Sequence, residues 1–143
     1  MRASDIGTSR VIQMSDEASV SEAVRTMRNH DVGCVVVIGH ADAHGKPVGI
    51  VTDRDLALRA SAYANGNDAM LRDVASTPLV VCRPDATVDE LVSMMLGSHV
   101  RRIPIVDGDG GLIGIVSVDD VMTVLATLMQ RVAQTLTSER IID

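Results

Sequence analysis

Gly114-Ile115-Val116-Ser117-Val118-Asp119-Asp120 decides how this chain is read, because an apolar run stops there at a hydroxyl residue and meets an acid three residues later. The same order of glycine, two β-branched residues, hydroxyl, two variable positions and aspartate stands 65 residues upstream, in Gly49-Ile50-Val51-Thr52-Asp53-Arg54-Asp55. Each copy reads as a strand that ends where a helix begins. The β-branched pair suits a strand, and Thr52 or Ser117 is placed to cap a helix whose acid sits in its first turn. A single copy would be an ordinary capping signature. Such a junction also has chemistry to offer, since free N–H groups at a helix start favour an anion and a nearby carboxylate accepts hydrogen bonds from sugar hydroxyls.

Working outward, the flanking sequence repeats as well. With an offset of 68 residues Asp5 falls on Asp73, Ile6 on Val74, Thr8 on Ser76, Val11 on Leu79 and Ile12 on Val80. Ala18, Ser19, Val20, Glu22, Val24 and Met27 fall on Ala86, Thr87, Val88, Glu90, Val92 and Met95. Ser19 with Glu22 and Thr87 with Glu90 predict capping boxes, and the apolar positions that follow recur at helical spacing. Cys34-Val35-Val36-Val37-Ile38 is an unbroken apolar run, as in a strand covered on both faces. Gly39 to Pro47 is a loop that returns to a strand at Val48 to Val51, and the shorter Asp107 to Gly111 loop accounts for the change of offset from 68 to 65.

The sequence therefore predicts an α/β protein of two β-α-β-β-α repeats, with short opening strands at Val11-Ile12 and its counterpart. The expected boundaries are 4–62 for the first repeat, 63–71 for a linker, 72–126 for the second repeat and 127–143 for a C-terminal helical extension. Repeats of this size offer little core alone, so they are expected to pack on each other about a pseudo-twofold axis that relates the two junctions.

Composition narrows the function. The 143 residues carry a formal charge of −6 and Tyr63 is the sole aromatic residue, which disfavours a phosphate backbone and removes base-stacking platforms. No apolar run reaches the roughly 18 residues of a membrane span, and no signal region follows Met1-Arg2-Ala3, so a cytoplasmic location is expected. Cys34 and Cys82 stand far apart and read as buried free thiols. His40-Ala41-Asp42-Ala43-His44 holds metal-ligand residue types, but in a glycine-flanked loop it reads as solvated surface, and no metal is expected. No Ser, Cys or His constellation marks a nucleophile, so no catalysis is expected.

These residues resemble a family. Two copies with an opening Asp-Ile or Asp-Val, a capped helix, a valine-rich strand and a closing Gly-Ile-Val-[Ser/Thr]-x-x-Asp resemble a pair of CBS domains, a Bateman module, over about Ser4 to Leu125. His99-Val100-Arg101-Arg102-Ile103-Pro104-Ile105-Val106 strengthens the match, and Thr52-Asp53-Arg54-Asp55-Leu56 is similar to small stand-alone bacterial CBS pairs. The resemblance implies a regulatory module without catalysis and without a required cofactor. It would bind an adenosine-containing ligand, AMP, ADP or ATP first and S-adenosylmethionine or NAD after them.

Carried over by position, Asp55 and Asp120 would hold ribose hydroxyls, and Thr52 and Ser117 would approach phosphate. The segments Thr8 to Val11 and Ser76-Thr77-Pro78-Leu79 would border base and sugar. Val35, Val37, Ile103 and Pro104 would line the adenine, and Arg54, Arg101 and Arg102 would neutralise phosphate. The chain departs from the pattern where Gly33-Cys34 stands in place of Arg101-Arg102, and where Val118 is set in place of Arg54. A ligand-free assembly module that acts through dimerisation and a partner protein is the alternative.

The last helix has its own signal. Val121, Leu125, Leu128, Val132 and Leu136 form a narrow apolar stripe with no glycine or proline, which predicts packing on a second subunit in a homodimer. Any output would then pass to an effector protein outside this chain.

Overall fold

The computed structural model describes residues 1–41, 45–59 and 69–138. The elements run α1 (Ala3–Ile6), β1 (Gln13–Ser15), α2 (Val20–His30), β2 (Cys34–Ile38), β3 (Pro47–Thr52), α3 (Asp53–Arg59), α4 (Leu71–Val74), α5 (Val88–Ser98), β4 (Arg102–Val106), β5 (Leu112–Ser117) and α6 (Val118–Ser138). Of the expected linker 63–71, residues 63–68 lie outside the described residues, and Leu71 begins α4.

The local signals behave as their chemistry requires. Ser19 Oγ accepts from the Glu22 N–H at 3.1 Å at the start of α2, and Thr87 with Glu90 forms a full capping box on α5. Asp31 and His99, again 68 residues apart, end these helices in the left-handed conformation.

β2 lies between parallel β1 and antiparallel β3, and all three of its central valines are buried. In the second repeat β4 pairs with β5 in a two-stranded sheet. Both hairpins shift register at equivalent positions, Val37/Ile38 and Ile105/Val106.

One expectation needs correction in both repeats. The opening strand falls at Gln13–Ser15 rather than Val11-Ile12, with Ile12 giving its carbonyl to the Val36 N–H. Its counterpart in the second repeat is a single rung, in which Cys82 bonds to Pro104 and Val106. The reason is Pro84. In the first repeat the Asp16 N–H continues the ladder to the Ile38 carbonyl at 2.9 Å, and the equivalent Pro84 has no N–H to give.

Each repeat lends its opening segment to the other. Ala3 is fully buried in the core beneath Leu91, Met95 and Ile103, and Leu71 and Val74 are fully buried in the core beneath Val20, Met27 and Val35. The hydrogen bonds come in twofold-related pairs. The N–H groups of Ala3 and Ser4 reach the carbonyls of Ala86 and Pro84, as those of Leu71 and Arg72 reach Ala18 and Asp16. Thr8 bridges Ile115 and Ser76 bridges Ile50. The glycine of each closing motif makes this crossing possible. A Cβ on Gly114 would lie 2.9 Å from the Thr8 carbonyl oxygen, and one on Gly49 would lie 2.9 Å from the Ala75 Cβ.

Candidate functional site

The first strand-to-helix junction is built by reciprocal bonds. The Asp55 carboxylate accepts from the Thr52 N–H at 2.9 Å, and the Thr52 hydroxyl accepts from the Asp55 N–H at 3.1 Å. Because Ser76 is carried onto β3 by the exchanged segment, its hydroxyl sits 3.4 Å from the same carboxylate. Arg59, one turn along α3, lies 3.8 Å from Asp55 and reaches back to the carbonyl of Ala75. The Asp55 side chain is thus held in place and aimed, and is only 15% exposed.

This junction floors a cavity of about 440 Å³. Ile50, Thr52, Asp53, Arg54 and Asp55 come from the first repeat, and Ser76 with His99, Val100, Arg101 and Arg102 comes from the second. Strand β4 begins at Arg102, and the left-handed turn at His99 brings the Arg101-Arg102 pair to the cavity wall. Among the described residues the side chains of Arg54, Arg101 and Arg102 make no hydrogen bond or ion pair. Arginine that faces a cavity without a carboxylate partner is prepared for an external anion.

The second junction repeats the cap. The Ser117 N–H donates to Asp120 at 2.8 Å and the Asp120 N–H to Ser117 at 3.2 Å. Beside it lies a hollow of about 100 Å³ against Ser117, Val118 and Asp119, walled on the other side by Arg101 and Arg102. The two arginines therefore stand between the junctions. The 65-residue register sets Asp119, not Val118, against Arg54, and Val118 against Asp53.

Of the residues expected at the site, Thr52, Arg54, Asp55, Ser76, Arg101 and Arg102 meet in the large cavity, while Ser117 borders the small one and Asp120 is bonded to it. Thr8 lies on β5 beside Ile115; Val11 and Leu79 are half-buried and Thr77 and Pro78 are exposed, and none of these four lines the large cavity. Val35, Val37 and Ile103 are fully buried against α2 or α5, and Pro104 is fully buried too, so none of them lines it. Side chains alternate across a strand, and those of Val35 and Val37 fall on the helix side.

Ile50, Asp53, His99 and Val100 line the cavity and were not singled out by the sequence. Their adjacency to Thr52 and Arg101 was the available signal. Cys34 lies near this wall. Burial pushes its thiol pKa up, Arg102 opposes the rise and Asp53 adds to it. In the loop, His40 Nδ1 is 2.8 Å from Asp16 and Nε2 is 3.3 Å from Glu17, while Asp42 and His44 lie outside the described residues. No described helix is long and apolar enough to cross a membrane.

Comparison with known proteins agrees with this architecture. The CBS domain profile matches twice, over residues 3–61 and 71–127. The CBS domain-containing protein YhcV of Bacillus subtilis is 34% identical over 116 residues, covering 81% of this chain and 79% of that protein. Protein MK0525 of Methanopyrus kandleri is 37% identical over 115 residues, 80% of this chain, and the chain spans only 57% of its length. Among solved structures, the CBS domain pair of protein MJ0100, in complex with 5′-methylthioadenosine and S-adenosyl-L-methionine, is 25% identical with a TM-score of 0.75, covering 87% of this chain and 99% of that one. The twofold-related repeats and the paired profile matches lead to one conclusion: this chain belongs to the CBS domain family, as a tandem pair.

Proposed function

We propose that this chain is a non-catalytic regulatory module that binds an adenosine-containing ligand, AMP, ADP or ATP, in the cavity between its repeats. The observation that carries the reading is the pairing, in one cavity, of an anchored carboxylate with three arginines that have no partner among the described residues. Asp55 accepts the ribose hydroxyls, Thr52 and Ser76 supply hydroxyls beside it, and Arg54, Arg101 and Arg102 meet the phosphate. Ile50 and Val100 offer the apolar surface. That a related CBS pair is seen with 5′-methylthioadenosine and S-adenosyl-L-methionine supports an adenosyl ligand. The arginines favour one that carries phosphate.

Ligand occupancy would be reported through the exchanged segments. Ser76 touches the ligand-facing carboxylate and is continuous with α4, whose Leu71 and Val74 are core residues of the first repeat. A ligand that tightens Asp55 and Ser76 therefore acts on both repeats at once.

The assembly proposed is a homodimer through α6. Leu125, Leu128, Met129, Val132 and Leu136 remain exposed on that helix although Val121 at its start is buried. Each such side chain gains about 1.5–3 kcal/mol when fully buried. An effector protein outside the chain would read the state, and a cytoplasmic location fits such a sensor.

The test is a thermal-shift screen with AMP, ADP, ATP, NAD and S-adenosylmethionine, since a ligand selective for the folded state raises Tm. A rise with one of the three nucleotides, lost in Asp55→Ala, supports the reading. The absence of a rise with every compound refutes it and leaves the assembly module.

A further inference from the structure

The two junctions share a fold but not a charge. In the first cavity three arginines, Arg54, Arg101 and Arg102, oppose two aspartates, Asp53 and Asp55. The pseudo-twofold carries these positions, in order, to Asp119, Gly33, Cys34, Val118 and Asp120, and carries His99 to Asp31. These six counterpart positions hold three aspartates and no arginine. Arg101 and Arg102 also wall the small hollow at Ser117. They stand between the junctions, so a phosphate held by them from the first cavity takes these two cations from the second.

From this we infer that the chain has one phosphate-accepting cleft, the first, and that the second excludes phosphorylated adenosine ligands through Asp31, Asp119 and the absence of arginine at Gly33 and Cys34. This rests on the proposed function and refines it to a stoichiometry. The energetic case is direct. A phosphate near an uncompensated carboxylate is repelled, and more strongly at a partly buried site than in water. In the first cavity the same phosphate meets guanidinium groups that donate bidentate hydrogen bonds. The missing cations are also restorable. Gly33 has ordinary backbone, and a Cβ there would come no closer than 3.6 Å to any neighbour, the nearest being an Asp53 carboxylate oxygen. An arginine at 33 is therefore accommodated, and its guanidinium would extend from the position equivalent to Arg101.

The experiment is calorimetric titration of the full chain with AMP, ADP and ATP, and with S-adenosylmethionine as a ligand without phosphate. One phosphorylated nucleotide per chain is expected, with affinity reduced at least tenfold in Arg101→Ala/Arg102→Ala. The transplant Gly33→Arg/Asp119→Arg is expected to raise the stoichiometry to two. Two equal nucleotide sites in the native chain overturn the inference while leaving the functional reading intact. A loss of nucleotide affinity in Asp120→Ala larger than in Asp55→Ala, or a folded transplant that still binds one, does the same, whereas S-adenosylmethionine binding without any nucleotide binding overturns the inference and the nucleotide reading together. If the transplant does not fold, the native stoichiometry and the Asp55→Ala and Asp120→Ala comparison decide. No binding of any of the four compounds removes the functional reading itself.

Discussion

Replacing Asp55 by alanine tests the site at the atom on which it depends. The carboxylate has two duties, since it caps α3 through the Thr52 N–H at 2.9 Å and presents its oxygens, with Ser76, to the cavity. Losing hydrogen bonds from ligand hydroxyls to an ionised group costs about 1.5–3 kcal/mol. The same change removes a negative charge near the ligand phosphate, which returns about 0.7 kcal/mol for charges roughly 6 Å apart in water. The net loss is about 1–2 kcal/mol, or roughly 5- to 30-fold in Kd. Loss of the cap also lowers folding stability by about 1 kcal/mol, so a control of similar stability is needed. Thr87→Ala supplies it, because Thr87 is one half of the equivalent capping box on α5, with Glu90, and lies outside the cavity. AMP titrated by calorimetry into both variants should bind Asp55→Ala 5- to 30-fold more weakly and Thr87→Ala as it binds the native chain. Equal affinity in all three proteins would refute the assignment of the ribose contact.

Other consequences follow from the packing. Gly114→Ala should lower stability by about 1–3 kcal/mol, since the new Cβ meets backbone oxygen at 2.9 Å, and a urea midpoint equal to that of the native protein would contradict the close crossing at Thr8. Leu71→Ala, a change in the second repeat's sequence, should cost about 2–5 kcal/mol and loosen the first repeat's core, detectable as faster amide exchange in α2. Burial pushes the Cys82 thiol up to about 11 from 9.0. The folded state favours the protonated thiol, so this contribution to stability is complete below about pH 9 and is lost as pH rises toward 11; Cys82→Ala should flatten that fall in urea unfolding. Leu128→Glu/Val132→Glu should convert a dimer to a species of 15.2 kDa in sedimentation without unfolding it, and a native protein that already sediments at that mass would remove the dimer proposal.

Much of the architecture was legible because its signals are local. The hydroxyl and acid three residues apart at Thr52-Asp55 and Ser117-Asp120 can satisfy one another's backbone only at a helix start, so their spacing forecasts both junctions. Repetition of that motif, with Ser19 and Thr87 ahead of it, disclosed the tandem pair and its twofold relation. The stretch Arg101-Arg102 pointed to cations, although its neighbours His99 and Val100 were not distinguished from the helix end they terminate.

Tertiary structure alone decided what lies against what. In Cys34-Val35-Val36-Val37-Ile38 every position is apolar, so the alternation that would show which valines face the helix was absent, and Val35 and Val37 proved to be core rather than cavity wall. The short opening strand was misplaced because its limits depend on pairing with β2, and in the second repeat on a missing N–H at Pro84. The sequence determined that there are two like units with a capped junction in each. That Ala3 packs in the second unit, that Leu71 packs in the first, and that Arg101 and Arg102 face the junction of the other repeat are results of closing the pair about its twofold axis. Contacts across some 65 residues of chain leave no periodicity in the sequence, because they are selected by the burial of whole surfaces rather than by the spacing of neighbours.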